Sequence, residues 1–159
     1  MAAERPPGEG PSQANEAAVA FLQVTGVLVD TGILYALADR RDAWHRRAVA
    51  WFDQPGEIRL VPVTVLPEAA YLIRDRLGAQ VEQRFVDSLV DATLTIESLS
   101  PRDVKATGRV MREYPELGFV DASVVSIAER LKIGRIATTD RRHFSTVRPA
   151  HRKSFELVP

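Results

Sequence analysis

No cysteine occurs anywhere in the 159-residue chain. Disulfides and Cys-containing zinc sites are therefore excluded, which fits a reducing compartment, and a cytoplasmic location is expected. Histidine is nearly as scarce. His45, His143 and His151 are the only three, and none is paired at a metal-binding helical spacing, so no His-based zinc site is expected. No apolar run is long enough to span a bilayer, so no membrane partner is expected. Nor is there an excess charge of either sign: the formal net charge is zero. A protein that held nucleic acid by bulk electrostatics would be basic, so any such role must use a local patch. Arg141, Arg142, Arg148, Arg152 and Lys153, with His143 and His151, supply one late in the chain.

Enough remains for one soluble domain with a sizeable core: 45% of residues are hydrophobic and 26% charged. Residues 1–22, with the Pro/Gly-rich stretch ERPPGEGPSQANE, lack periodicity and are expected to form a disordered or loosely attached tail. Residues 23–159 are expected to form the domain. VTGVLVD is an apolar run of buried-strand length, and IRLVPVTV, TLTIES, GRIATT and SFELV are further strand candidates, with Pro62 weakening the second. Helical spacing marks ILYAL, DAWHRRAVAWFDQ, LPEAAYLIRDRL, AQVEQRFVDSLVD, PRDVKATGRVMREY and a segment from about Val120 to Lys132. Gly78 reads as a helix stop, and Ser100–Pro101 as an N-cap and N1 pair. Strands alternating with helices predict a mostly parallel sheet covered on both faces.

Against this pattern four carboxylates stand out. Asp30 ends VLVD, Glu68 follows RLVPVTVL, Asp121 opens DASVVSIAERL and Asp140 ends RIATTD. Each lies where an apolar strand stops or a helix begins. Singly, each has an ordinary explanation as a cap, a dipole partner or a turn residue. Together they point to one site, because the carboxyl ends of parallel strands gather functional groups. Buried carboxylates in a group need cations, and hard ions such as Mg²⁺ or Mn²⁺ take oxygen ligands. Such ions activate water and steady phosphoryl oxygens, so a phosphodiester substrate is expected.

The segments VLVDTGILYALADRRDAWHRRA, VTVLPEAAYLI, FVDASVVSIAERL and IATTDRRHF, in this order, resemble PIN domains, and among them the VapC-type toxins of type II toxin–antitoxin pairs. The resemblance runs from Val24 to the closing FELVP. It implies a three-layer α/β/α PIN-like fold and Mg²⁺- or Mn²⁺-dependent endoribonuclease activity on transfer or ribosomal RNA. It also implies homodimerisation and inhibition by a VapB-like antitoxin. The family's catalytic, metal-binding quartet falls on Asp30, Glu68, Asp121 and Asp140. Thr31 and Thr139 fall where hydroxyls orient the site or its substrate, and Arg141 and Arg142 are expected to contact RNA. Family members usually begin just before the first strand, so the N-terminal extension departs from the pattern.

Other readings lead elsewhere. An aspartic protease would use Asp30-Thr31-Gly32 from two copies within an all-β fold. A haloacid-dehalogenase-type phosphatase needs an acid at position 32, which is Gly. The alternative within the same fold is an RNA-binding or interaction module without nuclease activity. His45 reads as a packing or surface residue, and Trp44 and Trp51 as core or interface residues.

Overall fold

The apolar run ending at Asp30 becomes the central strand of a five-stranded sheet, β1 (Gly26–Val29), with every residue buried. The computed structural model describes residues 13–159. β2 (Ile58–Pro62), β3 (Leu94–Glu97), β4 (Arg135–Ala137) and β5 (Glu156–Val158) complete the sheet, all parallel, in spatial order β3-β2-β1-β4-β5. Helices fill the connections. α2 (Thr31–Ala38) and α3 (His45–Phe52) link β1 to β2, and α4 (Val65–Leu77) and α5 (Ala79–Asp91) link β2 to β3. α6 (Pro101–Glu113) and α7 (Phe119–Leu131) lead to β4, and α8 (Arg141–Thr146) leads to β5.

From β1 the chain steps outward to β2 and β3, then crosses back to β4 and β5. Right-handed crossovers running in opposite directions put their helices on opposite faces, which gives the three-layer α/β/α arrangement. The burial of β1, β4's Ile136 and Ala137, and β2 from Arg59 onward follows from cover on both faces. An all-parallel sheet with eight helices among the described residues removes the all-β protease reading.

Local chemistry sets the element ends. Ser100 and Asp103 form a reciprocal capping box at the start of α6, with Pro101 at N1. Gly78, at φ 92°, takes a backbone conformation that separates α4 from α5. Pro62 sits in β2 without a β1 partner, since pairing with β1 runs only as far as Leu60. Its missing N–H therefore costs no bond on that side.

Of the expected tail, residues 1–12 lie outside the described residues, and the remainder falls in α1 (Gln13–Thr25), which is helical. Beyond the Pro/Gly-rich stretch, the run EAAVAFL consists mainly of good helix formers. Most of α1 is exposed, and Leu22 packs against the core. Consequently the first strand starts at Gly26 rather than Val24. The chain turns from helix to strand where a Cβ on Gly26 would strike the Leu22 carbonyl. The short helix α8, following Asp140, was not anticipated from the sequence.

Candidate metal-binding active site

Asp30 sits at the carboxyl end of β1, and Asp140 three residues beyond the end of β4. β1 and β4 are adjacent, and the Asp30 amide donates to the Ala137 carbonyl at 2.9 Å. This is the topological switch point of the sheet, where connections leave in opposite directions and a crevice opens above the strand ends. Glu68 and Asp121 come to the same place from the first turns of α4 and α7, where the helix dipole favours an anion. A hydroxyl pair joins those two helix starts, with Thr64 Oγ1 2.6 Å from Ser123 Oγ. Ser123 itself donates to the Val120 carbonyl, so Thr64 is the donor in that pair.

The four acids form a gradient from floor to mouth. Asp30 is buried, Asp121 and Asp140 are partly buried, and Glu68 is exposed. Burial, then the charge of Asp121 and more weakly that of Glu68, pushes the Asp30 carboxyl up to about 7. Burial, then the charges of Asp140 and Glu68, pushes Asp121 up to about 6. Each acid thus feels at least one other, so the four are electrostatic neighbours.

Neighbouring side chains hold them in place. Thr31 Oγ1 donates to Glu68 Oε2 at 2.5 Å. Thr138 Oγ1 donates to Asp30 Oδ2 at 2.8 Å and accepts from the Asp140 amide at 2.9 Å, so one hydroxyl ties two acids together. Asp140 caps α8, accepting from the His143 amide at 3.1 Å, while His143 Nδ1 lies 2.7 Å from Asp140 Oδ2.

Thr31 hydrogen-bonds Glu68, whereas Thr139 does not reach the acids by any hydrogen bond. Its side chain packs where a Cβ on Gly32 would be. The hydroxyl that serves Asp30 belongs to Thr138. Successive residues of an extended segment face opposite ways, so 138 and 140 share a side while 139 points away. Arg141 and Arg142 open α8 and are exposed. Arg141 donates to the Pro159 carbonyl and lies over the Trp44 ring at 5.6 Å. Other parts of the basic patch have local partners. Arg148 binds the Ser145 and Val147 carbonyls, and His151 Nε2 lies 2.9 Å from the Ile133 carbonyl. His45 Nδ1 lies 2.7 Å from the Ala36 carbonyl and Trp51 is buried, both in packing roles.

A divalent cation fits this donor set. Ligand atoms of Asp121, Asp140 and His143 all lie within 4.8 Å of one another. Asp30, whose carboxyl feels the charge of Asp121, has its Oδ1 buried without a hydrogen-bond partner, which is costly unless a cation or proton compensates it.

The PIN domain family's sequence profile matches residues 27–148. The chain belongs to the PIN domain family. Ribonuclease VapC26 of Mycobacterium tuberculosis is 27% identical over 135 residues, covering 84% of this chain and all of that protein. Among solved structures, Mycobacterium tuberculosis VapC20, described as a sarcin–ricin loop cleaving toxin, superposes with a TM-score of 0.71 at 20% identity. That match covers 84% of this chain and 99% of VapC20. VapBC2 of Rickettsia felis, solved bound to a promoter DNA fragment, matches with a TM-score of 0.64 at 14% identity over 85% of this chain and all of that chain. The VapC-type resemblance read from the sequence thus recurs in a sequence relative and in folds.

Proposed function

We propose that this PIN domain is a Mg²⁺- or Mn²⁺-dependent endoribonuclease, the toxin of a type II toxin–antitoxin pair, acting on transfer or ribosomal RNA. One observation carries the reading: four acids from β1, α4, α7 and the β4–α8 junction meet at the switch point, around the unpartnered Asp30 Oδ1. Asp30, Asp121 and Asp140 would hold the metal, with Glu68 at the mouth. When bound, the cation supplies Lewis acidity to a water and to phosphoryl oxygens.

The chain's own groups do the remaining work. Thr138 keeps Asp30 Oδ2 occupied and so leaves Oδ1 free to serve as a ligand. Thr31 fixes the exposed Glu68 carboxylate, which is placed to orient an attacking water or a ribose hydroxyl. Arg142, exposed beside Asp140, suits a flanking phosphate.

The proposed partners are a VapB-like antitoxin and a second copy of the chain. A cavity of about 890 Å³ runs between α2, α3, α4 and α5, with Leu34, Phe52, Val81 and Phe85 in its walls and exposed Arg40, Arg41, Arg76 and Arg84 around it. It suits an apolar antitoxin segment flanked by acids. A basic residue of the same antitoxin inserted among the four acids would compete with metal and block RNA together. Neutralising that residue should weaken inhibition more than binding.

The test is to map RNA 5′ ends after brief expression of the wild type and of Asp30→Asn. Discrete new ends are expected from the wild type alone. Identical ends from both proteins would contradict the assignment, and none from either would favour a PIN-fold binding module.

A further inference from the structure

His143 stands apart from the acids around it. It is the third residue of α8, a helix fixed by fully buried Phe144, and Asp140 at the N-cap accepts from its amide. That cap aims the imidazole back at the carboxylates, with Nδ1 2.7 Å from Asp140 Oδ2. One ring nitrogen of His143 and one oxygen each from Asp121 and Asp140 lie within 4.8 Å of one another. Opposed ligands on a small divalent ion are about 4.2 Å apart, so side-chain rotations close the remaining gap. The acids alone would form an all-oxygen site suited to Mg²⁺. One imidazole nitrogen changes that, because nitrogen ligands favour first-row transition ions while Mg²⁺ demands oxygen. A second observation points to the same ligand: Asp30 Oδ1, buried and without a hydrogen-bond partner, lies beside Asp121 and offers a further oxygen.

We infer that His143 Nδ1 is a metal ligand, making the centre a mixed nitrogen–oxygen site that prefers Mn²⁺ to Mg²⁺. The inference rests on the metal-dependent reading above. Without metal, Nδ1 sits against Asp140 Oδ2. With metal, the neutral imidazole keeps its proton on Nε2 and gives the Nδ1 lone pair to the ion, while Asp140 turns its oxygen from His143 to the same ion. His143 then contributes through its ring nitrogen rather than its charge.

The experiment uses the full chain, wild type and His143→Gln. The glutamine variant retains a hydrogen-bond donor toward Asp140 but has no imidazole. Mn²⁺ and Mg²⁺ affinities are measured calorimetrically, and the Mn²⁺-loaded proteins are examined by pulsed electron paramagnetic resonance for coupling to ¹⁴N. Expected are a directly coordinated nitrogen in the wild type, its loss in His143→Gln, and a fall of roughly 10-fold or more in the Mn²⁺-over-Mg²⁺ preference. Mn²⁺ binding without nitrogen coupling, or an unchanged preference in the variant, overturns the role of His143 and leaves the metal-dependent reading intact. If the wild type binds neither ion, both fall.

Discussion

Asp30 carries two opposing demands, one from the fold and one from the site. Its carboxyl is buried, close to Asp121, and held at about 7. An unfolded chain holds an Asp near 3.9, so the folded state binds the proton more tightly. The stability this confers on the metal-free protein is complete below about pH 4 and is lost as pH rises through 7. The loss is on the order of 4 kcal/mol. Thermal unfolding in excess chelator should therefore give a lower Tm at pH 8 than at pH 5. Asp30→Asn should be the more stable protein at pH 8 while losing RNA cleavage. A variant less stable than wild type at pH 8 would mean the carboxylate is compensated in some way other than by a bound cation.

Elements place these residues, and the loop after β4 shows how little room they have. Gly32, in the first turn of α2, lacks the Cβ that would strike Thr139 Oγ1. Gly32→Ala should push the β4–α8 loop, and with it Thr138 and Asp140, away from Asp30. Overpacking of this kind costs about 1–3 kcal/mol. A drop in cleavage larger than the drop in stability is expected, and wild-type cleavage at full stability would show that the loop position is immaterial. The strands and the helices from α2 to α7 were legible in the sequence, because apolar runs of strand length alternate with helical spacing, and so was the position of each acid at a strand end or a helix start. The resemblance points to Thr139, whereas the alternation of an extended segment turns residue 138 toward the acids. α1 was hidden by the Pro/Gly-rich residues before it, and α8 by its six-residue length, too short to show a period. The contact of Asp140 with His143 depends on α8, and so it was hidden too.

The site lies at the carboxyl ends of the central strands and a cavity of about 890 Å³ lies among α2, α3, α4 and α5, so RNA and an apolar partner need not meet the same surface. The apolar residues of α4 and α5 divide in two. Ile73 and Phe85 are spent on the core, and Leu72 and Leu89 are half-buried, whereas Tyr71, Val86 and Val90 remain exposed. That remainder is the proposed dimer surface. Light scattering at micromolar concentration should report a dimer, reduced to monomer by Tyr71→Ser with Val86→Ser, and a monomeric wild type would count against it. The central claim is that four acids from distant parts of the chain form a single cation-dependent site that hydrolyses RNA. Its most direct test is to strip the purified protein of metal and titrate Mn²⁺ back while following cleavage of RNA. Cleavage should be absent at first and rise with saturable Mn²⁺ binding, and both should be lost together in Asp30→Asn and in Asp121→Asn. Cleavage by the stripped protein, or by either variant at the wild-type rate, would contradict the account.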